Sequence, residues 1–364
     1  MKKINIKSKY FNYPVFIGSN ILQSLPDLLE KHKLNKNVFI VIDENIEKIY
    51  GKEIRKLVYS WASRSATFKL KASEHSKSLS TLKKIYTVLA DAEFGRDTLL
   101  LSVGGGITGD VAGYCAATYM RGVQLVHVPT TLLASVDSSI GGKTGVNFYN
   151  RKNFIGSFYQ PQFVFIDTNF LQTLPAAELK SGAGEIIKYA FLSNKDFYEY
   201  ILRNFNKLLL LNGKVLNKVI LESLLIKAGV VSQDEKDTGL RKILNFGHTF
   251  AHAFESHSGY KIKHGEAVVG GIMAALFLSY RLNFFSDEKL ESYLKFLSVY
   301  KLPSSIKKVN NNRILEIMRL DKKRRGDRIK FVLLKDIGNL VIDAEIEKKE
   351  IFYALDKLKN FRSV

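Results

Sequence analysis

The sequence predicts an N-terminal α/β domain over residues 1–175 and a mostly α-helical C-terminal domain over residues 176–364. A chain of 364 residues is long enough for two domains. Up to about residue 170, short β-branched runs alternate with helical stretches, as in a mostly parallel sheet covered by helices. From about residue 176 the apolar spacing is typical of helices. Clefts between domains often bind ligands, so both halves can supply site residues.

The individual elements are predicted from apolar periodicity. The predicted strands of the first half are NVFIVID (37–43), ATFKL (66–70), TLLLSVGGG (98–106), VQLVHVPTT (123–131) and QFVFID (162–167). Its predicted helices cover 78–94 and 107–120. Six helices are predicted in the second half, over 176–192, 196–210, 214–231, 247–257, 266–282 and 351–361. One segment there, 329–346, predicts instead a β-hairpin that turns near Ile337–Asn339.

The chain is strongly basic, with a formal net charge of +20 and a pI of about 9.7. This balance is compatible with a nucleic acid, a membrane surface or an anionic small substrate. The basic residues are spread along the chain, with one denser run at Lys322–Arg328, and no zinc-finger or RNA-recognition signature accompanies them. We therefore expect a small-molecule substrate and neither a nucleic-acid nor a membrane partner.

The single cysteine, Cys115, excludes an intramolecular disulfide and a cysteine-based zinc site. The first residues, MKKINIKSKYFNYPVF, have no apolar core of the signal-peptide kind. The longest nearly apolar stretch, Ala267–Leu278, is too short to span a bilayer and predicts a buried helix. We expect a cytoplasmic protein.

A glycine-rich turn follows a buried strand in TLLLSVGGGITGDVAGY. Glycines allow a tight turn and close approach to a ligand, and the next helix N-terminus attracts phosphate. The spacing is neither the G-x-G-x-x-G fingerprint nor a Walker loop, so the alternative is a βα turn without a ligand. After the strand NVFIVID, Asp43 and Asn45 suit either a ribose hydroxyl or an ordinary helix cap.

Polar residues crowd the segment HVPTTLLASVDSSIGGKTGVN (127–147) and the following RKNFIG, which adds Lys152 and Asn153. The first segment combines apolar anchors and glycines with Thr130, Thr131, Asp137, Ser138, Ser139, Gly141, Gly142, Lys143 and Thr144. This mixture favours a rigid loop that faces an anion over a purely structural loop. Further on, Glu185 and Lys188 share a helix face in GAGEIIKYA. Such spacing is typical of a surface ion pair, but the apolar neighbours favour burial, and a buried glutamate needs a partner or a metal.

Four of the seven histidines lie in NFGHTFAHAFESHSGYKIKHGEAV, residues 245–268. His248 and His252, at i and i+4, share a helix face and can chelate zinc. Spacing alone predicts these two as ligands, with His264 or Glu255 as the third. The alternative is that some are helix caps or hydrogen-bonded core histidines. A catalytic zinc needs three protein ligands and an open position.

Together and in order, these motifs resemble the 3-dehydroquinate synthase family of sugar-phosphate cyclases. The resemblance covers nearly the whole chain and rests on GGGITGDVAGYCAATYMRG, VPTTLLASVDSSIGGKTGVN, KNFIGSFYQP, GEIIKYA, DEKDTGLRKILNFGHTFAHAFE, HGEAV and the DKK at 321–323. It implies a Rossmann-like NAD-binding domain, a helical metal- and substrate-binding domain and a homodimer. The cofactors that it implies are NAD and Zn2+, with Co2+ as a possible substitute.

The resemblance also assigns residues, and it changes the metal set. It implies that zinc is bound by Glu185, His248 and His264, that His252 faces the substrate's phosphate and that His257 is at the surface. NAD would be bound by Asp43, Asn45, Glu74, Lys77, Gly105, Gly106, Asp110, Thr130, Thr131, Lys143, Lys152 and Thr173. Substrate would be bound by Asp137, Lys143, Asn153, Lys188, Lys227, Arg241, Asn245 and His252. Arg121 would reach the phosphate of the neighbouring subunit's substrate, and one of Lys322 or Lys323 would join it.

The implied reaction converts 3-deoxy-D-arabino-heptulosonate 7-phosphate to 3-dehydroquinate and phosphate, the second step of the shikimate pathway. It proceeds by transient oxidation with NAD, β-elimination of phosphate, re-reduction, ring opening and an intramolecular aldol step, so the enzyme is a lyase. The nearest alternative is a sister cyclase for a carboxylate-free sugar phosphate, which would not need Arg241 and Asn245. A polyol dehydrogenase of related fold would not need the lysine-rich substrate set. A nucleic-acid-binding protein would leave the motifs without a role.

The chain departs from the family's usual pattern at two positions. Ala177 replaces an arginine, and Gly184 replaces an alanine beside Glu185. We expect the first to alter local packing and the second to add backbone freedom next to the metal glutamate. Neither change removes a catalytic group.

Overall fold

A computed structural model of the protein describes residues 1–149, 151–321 and 329–361. The chain divides into two compact units. The N-terminal unit contains Met1–Leu174 together with Leu216–Leu224, and the C-terminal unit contains Pro175–Val215 and the chain from Leu225 onward. The sequence prediction placed 216–224 in the helical domain, because a helix's periodicity does not report which unit it packs with.

Nine strands lie in the described part of the N-terminal unit, as a seven-stranded sheet and a hairpin. They are β1 (Lys2–Lys7), β2 (Asn12–Gly18), β3 (Asn37–Asp43), β4 (Arg64–Leu70), β5 (Thr98–Gly104), β6 (Gln124–Pro129), β7 (Lys143–Phe148), β8 (Arg151–Phe158) and β9 (Phe163–Asp167). The sheet order is β1-β2-β9-β6-β5-β3-β4. Only β1 and β2 pair antiparallel in this sheet, which confirms the predicted mostly parallel sheet.

Helices cover both faces of the sheet because successive strand side chains point to opposite sides. These helices are α1 (Leu25–Lys31), α2 (Glu44–Trp61), α3 (Leu79–Asp91) and α4 (Gly106–Thr118). On β3, Val38 and Ile40 pack in the same buried cluster as Ile54 of α2. The intervening Phe39 packs in a second cluster with Ile85 of α3. The strand–helix alternation of the sequence is confirmed, and the parallel strands direct their carboxyl ends to one edge.

Two pairs of strands were not predicted. β1 and β2 form an antiparallel edge, and β7 and β8 form a separate hairpin where the sequence suggested a loop. In β8, Ile155 packs against the core, whereas Phe154 and Phe158 on the other face are exposed. Apolar residues on both faces hide the period of two from which a strand is predicted.

The C-terminal unit is mostly helical, as predicted. The elements of the chain from Ala176 onward are α5 (Ala176–Leu192), α6 (Lys195–Leu209), α7 (Gly213–Gln233), α8 (His248–His257), α9 (His264–Arg281), α10 (Asp287–Ser298), α11 (Ser304–Lys307), α12 (Asn311–Asp321), β10 (Ile329–Asp336), β11 (Asn339–Ile346) and α13 (Lys348–Asn360). The middle of α7, Leu216–Leu224, belongs to the N-terminal unit. The antiparallel pair β10–β11 confirms the predicted hairpin over 329–346.

Helix α9 is the buried centre of this unit. Every residue from Ala267 to Leu278 is buried, which confirms the prediction for that apolar stretch. A cluster of aromatic rings packs around Phe191 of α5, including Phe246 and Phe296 at centroid distances of 5.9 and 5.7 Å. Within residues 1–149, 151–321 and 329–361, no helix combines the length and apolar character that a bilayer span requires.

We predict that Cys115 of α4 is inert in the folded protein. Its side chain is fully buried, and burial raises the pKa of the thiol to about 12, so the reactive thiolate is scarce at pH 8. A colorimetric thiol reagent should count no cysteine in the native protein and one per chain in denaturant. Because Cys115 is the single cysteine, any thiol that the reagent detects belongs to this residue. Rapid native labelling would contradict the burial.

Candidate metal and nucleotide sites

Three side chains from three helices of the C-terminal unit meet at one carboxylate oxygen. Glu185 lies in α5, and His248 and His264 are the first residues of α8 and α9. Oε1 of Glu185 lies 3.0 Å from Nε2 of His264 and 3.3 Å from Nε2 of His248. The candidate ligand atoms all lie within 4.8 Å of one another. Atoms that share one ion with bonds of about 2.0–2.2 Å are at most about 4.4 Å apart, and the separations of 3.0 and 3.3 Å meet this condition.

The second ring nitrogen of each histidine has its own acceptor. Nδ1 of His248 lies 3.2 Å from the backbone oxygen of Phe246, and Nδ1 of His264 lies 3.4 Å from Oε1 of Glu255. With its proton on Nδ1, each imidazole would satisfy this acceptor and keep its Nε2 lone pair for an ion. One carboxylate and two imidazoles oriented in this way form a donor set that suits zinc.

Glu185 is ionised although it is buried. Its side chain is 1% exposed, that of Lys188 is 2% exposed, and Oε2 of Glu185 lies 2.5 Å from the Lys188 ammonium. Burial raises the pKa of Glu185, but Lys188 and the hydrogen bonds from the two histidines outweigh it and hold the pKa well below its ordinary value. The expectation of a buried pair rather than a surface ion pair is therefore confirmed.

The two histidines differ in their protonation. Burial lowers the pKa of His248, which favours the neutral imidazole. Burial acts in the same direction on His264, but hydrogen bonds with Glu185 and Glu255 outweigh it and raise the pKa of His264 to about 10. The difference arises because His264 faces two carboxylates, whereas Nδ1 of His248 faces a neutral carbonyl.

Glycines allow α5 and α9 to touch beside the two ligands that they carry. A Cβ on Gly265 would lie 1.8 Å from the backbone oxygen of Ser181, and one on Gly184 would lie 2.3 Å from the backbone oxygen of Gly265. Gly184 therefore serves close approach of the helices, whereas the sequence suggested added backbone freedom. The other departure, Ala177, is exposed in the first turn of α5.

Three basic residues of the C-terminal unit are buried. Lys188, Lys227 and Arg241 are exposed by only 2%, 7% and 3%. Positive charge at these positions is compatible with an anionic ligand. The other two residues predicted to bind substrate from this unit, Asn245 and His252, are exposed.

A carboxylate holds the loop that carries Arg241. Asp234 accepts backbone N–H groups from Thr238 at 3.0 Å, Gly239 at 2.7 Å and Arg241 at 3.0 Å. Partial burial raises the pKa of Asp234, but these hydrogen bonds outweigh it and lower the pKa to about 2. The Arg241 guanidinium itself donates to the backbone oxygen of Glu235 at 2.5 Å.

In the N-terminal unit, β5 leads through Gly104 and Gly105 into α4, whose first turn has no side-chain cap. A Cβ on Gly105 would lie 2.9 Å from Cγ2 of Thr131, and one on Gly106 would lie 2.9 Å from Oγ of Ser138. Within the described chain, the buried hydroxyls of Thr130 and Ser138 have no hydrogen-bond partner. A narrow turn with free helix N–H groups and unpaired hydroxyls suits the phosphates of a dinucleotide.

Asp43 at the end of β3 is a helix cap, one of the two roles open to it from sequence. Its Oδ1 accepts the backbone N–H groups of Asn45 at 2.7 Å and Ile46 at 3.4 Å. Both backbone N–H groups donate to Oδ1, so the helix cap does not involve Oδ2. Asn45 is exposed on the first turn of α2.

A polar network joins four of the residues that the resemblance assigns. Nζ of Lys77 lies 2.5 Å from Oδ2 of Asp110 and donates to Oδ1 of Asn153. Asn147 links Asn153 to Glu74. Its Nδ2 donates to Oε1 of Glu74 at 2.8 Å, and its Oδ1 accepts the Asn153 N–H at 2.9 Å. Sequence reasoning missed Asn147 as a site residue, although it ends the quoted motif GGKTGVN.

The remaining predicted residues of this unit occupy turns and element ends. Asp137 lies in a π-helical turn, Ala134–Ser138, a geometry that is frequent at functional sites. Lys143 is exposed at the start of β7. Lys152 lies 3.9 Å from a Glu74 carboxylate oxygen. The hydroxyl of Thr173 is 3.2 Å from the backbone oxygen of Phe170.

Arg121 lies in a strained turn. The φ angles of Met120, Arg121 and Gly122 are 50°, 68° and 118°, three consecutive residues in the left-handed region. Non-glycine residues there cost of order 1–3 kcal/mol each, and such strain clusters at functional positions. The turn presents Arg121 as an exposed residue.

Comparison with known proteins identifies the family. Family models described as the N-terminal and C-terminal parts of 3-dehydroquinate synthase match residues 67–181 and 182–324. The chain belongs to the 3-dehydroquinate synthase family. It is 41% identical to a 3-dehydroquinate synthase of Pelagibacter ubique over 98% of each chain, and 39% identical to one of Prochlorococcus marinus over 95% and 97% of the two chains. Membership in this family makes the chain a cyclase.

A solved structure of a related cyclase resembles the whole chain. It is 2-deoxy-scyllo-inosose synthase complexed with carbaglucose-6-phosphate, NAD+ and Co2+. The TM-score is 0.89 at 25% identity, over 98% of this chain and 99% of the other. This likeness agrees with the predicted fold class, an α/β unit followed by a helical unit.

The ligand set predicted from histidine spacing alone differs from the group that the described chain brings together. The grouped residues are Glu185, His248 and His264, without His252. The ring centroid of His252 lies 5.6 Å from that of His248. Glu255 faces Nδ1 of His264, whereas Glu185 faces Nε2 of the same ring. Spacing within one helix cannot reveal a ligand from another helix. His257 is exposed, as expected, and Lys322 and Lys323 lie outside the described residues.

We predict that Gly265→Ala destabilises the protein by about 1–3 kcal/mol or more, because the new methyl group meets the backbone of Ser181. The matched control is Gly229→Ala in α7, where a Cβ meets nothing within 4 Å. The control should stabilise the helix by up to about 1 kcal/mol, the ordinary gain for this exchange. Denaturant unfolding measures both, and equal effects would exclude the close contact.

Proposed function

We propose that the chain is a 3-dehydroquinate synthase that converts 3-deoxy-D-arabino-heptulosonate 7-phosphate to 3-dehydroquinate and phosphate. The observation that carries the proposal is the 41% identity over 98% of both chains to a relative of that name. The candidate metal cluster and the buried basic residues of the C-terminal unit support it, since the substrate carries both a carboxylate and a phosphate.

In this proposal the zinc ligands are Glu185, His248 and His264. Their support is the convergence of three ligand atoms within 4.8 Å and the hydrogen bonds that orient both imidazoles. Three protein ligands leave one position of a tetrahedral ion for substrate oxygen. Co2+ accepts the same donors, and the related cyclase contains it.

NAD would be bound by the N-terminal unit. The turn at Gly104–Gly106 and the hydroxyl of Thr130 suit the pyrophosphate, and Asp43 suits a ribose. The other proposed NAD residues are Asn45, Glu74, Lys77, Gly105, Gly106, Asp110, Thr131, Lys143, Lys152 and Thr173. The Lys77–Asp110 pair and the Asn147 bridge would hold several of these in place before the cofactor arrives.

The substrate's charges would be held mainly by basic residues. Arg241 can form a two-pronged hydrogen bond with the carboxylate, assisted by Asn245. Lys188 and Lys227 add positive charge, and His252 would face the phosphate. The proposed contacts from the N-terminal unit are Asp137, Lys143, Asn153 and, from a neighbouring subunit, Arg121.

Bound NAD would supply a reversible hydride acceptor, and bound zinc would polarise the substrate's hydroxyls. Because the cofactor would both accept the hydride and return it, the overall reaction would involve no net oxidation. The resemblance implies that the departing phosphate itself removes the neighbouring proton. The protein residues at the phosphate then act by orienting it, and His252 and Arg121 are the candidates.

We also propose a homodimer. The hairpin β7–β8 exposes Phe154 and Phe158 on one face, at 47% and 42%, and Met120 beside Arg121 is 44% exposed. Exposed aromatic side chains are enriched at protein interfaces. A dimer would give the strained Arg121 turn a role in the neighbouring subunit.

Phosphate release from 3-deoxy-D-arabino-heptulosonate 7-phosphate tests the reaction. Purified protein with zinc should release many phosphates per NAD molecule, and chelation should stop it. Arg241→Lys keeps the charge but loses the planar fork, so its kcat/KM should fall about 10- to 100-fold, as expected for a charged hydrogen bond of roughly 1.5–3 kcal/mol. Turnover of a carboxylate-free sugar phosphate instead would support the sister-cyclase alternative.

Histidine variants test the metal assignment. His248→Asn and His264→Asn should each lose zinc after dialysis, because two protein ligands hold the ion poorly. His252→Asn should keep about one zinc per chain and lose turnover. His257→Asn, at an exposed position of the same helix, is the control and should keep both. Zinc loss in the His252 variant would restore the assignment made from spacing.

A further inference from the structure

We propose that Glu255 is a positioning residue for the metal site: its carboxylate accepts the Nδ1 proton of His264 and thereby directs Nε2 of that ring at the ion. This inference rests on the proposed zinc ligands and adds a residue that does not itself touch the metal. Glu255 is 5% exposed, and Oε1 lies 3.4 Å from Nδ1 of His264.

The opposite ends of the His264 ring face two carboxylates. Nε2 faces Oε1 of Glu185 at 3.0 Å, and Nδ1 faces Oε1 of Glu255. A histidine ligand binds a metal through one neutral nitrogen and donates a hydrogen bond from the other, which sets the tautomer and the ring orientation. The geometry therefore makes Glu185 the ligand and Glu255 the orienting acceptor, although both are buried glutamates.

Local structure holds Glu255 where this contact needs it. The residue lies two helical turns after His248 on α8, so both are on one face of the helix. Its backbone oxygen accepts the Tyr260 N–H at 2.8 Å and the Ser258 hydroxyl at 2.9 Å. The Ser258 hydroxyl also accepts the Ile262 N–H at 3.3 Å, which turns the chain back toward His264.

Glu255 differs from the other Nδ1 acceptor in carrying a negative charge. The acceptor at His248 is the neutral backbone carbonyl of Phe246. The carboxylate of Glu185 is already paired with the Lys188 ammonium 2.5 Å away. This pairing weakens the attraction of Glu185 for a metal cation. When a carboxylate accepts a hydrogen bond from one imidazole nitrogen, the other nitrogen becomes more basic and binds a metal ion more strongly. Glu255 thus contributes negative charge to the site through His264 without occupying the open metal position.

Glu255→Gln tests this role, because the variant keeps the shape and removes the charge. We expect zinc affinity, measured by competition with a chromophoric chelator, to fall about 10- to 100-fold, the usual effect of losing such a partner. The visible spectrum of the Co2+-loaded protein should also change, which a purely structural role of Glu255 would not produce. If this variant does not fold by circular dichroism, Glu255→Asp, which retracts the carboxylate, should give the same two changes.

The matched control is Glu266→Gln, two residues after His264. Glu266 accepts the Lys263 N–H at 3.2 Å and lies 3.4 Å from Nζ of Lys180, so it caps α9 without contacting either imidazole in the described hydrogen bonds. Glutamine serves equally at this capping position, and zinc affinity should stay within about threefold of wild type. Wild-type affinity and an unchanged Co2+ spectrum in Glu255→Gln would overturn the inference. A wild-type protein that binds no zinc would instead overturn the metal assignment beneath it.

Discussion

The Glu185 carboxylate is the constraint on which the C-terminal unit depends. It is buried, ionised and in contact with His248, His264 and Lys188, so one charge on α5 contacts three residues on α5, α8 and α9. A buried carboxylate is costly unless it is paired and hydrogen-bonded. The chain meets this condition by placing a histidine at the first residue of two different helices. The same arrangement that stabilises the charge presents three ligand atoms to one ion.

Backbone contact supports this arrangement. α5 and α9 approach so closely at Gly184 and Gly265 that neither position has room for a methyl group. The distance between Glu185 and His264 is therefore set by main-chain contact and not by flexible side chains. A metal site needs such rigidity because small shifts of ligand atoms weaken binding, and the hydrogen bonds from Nδ1 add rotational control of each ring.

The N-terminal unit uses a different physical device. Parallel strands bring their carboxyl ends to one edge, where β5 leads into the glycine turn and β3 ends at Asp43. Backbone N–H groups of the glycine turn and the Thr130 hydroxyl lie at this edge, which suits a dinucleotide's phosphates. The related cyclase with a TM-score of 0.89 at 25% identity shows that the fold is shared among cyclases. Choice of substrate must therefore depend on side chains and not on the fold.

The sequence by itself determined the strand–helix alternation, the helical second half, the glycine turn and the family. These features depend on local periodicity and on short motifs, which are written in consecutive residues. Spacing did not reveal that Glu185 joins His248 and His264, which the family resemblance implied and the tertiary structure brings together. Only the tertiary structure showed that Gly184 serves helix contact, that Asn147 bonds to Glu74 and that Glu255 lies at Nδ1 of His264. Those relations join residues far apart in the sequence, such as Glu185 and His264, which are 79 positions apart. The spacing of four between His248 and His252 relates residues of one helix, whereas Glu185, His248 and His264 lie on three different helices.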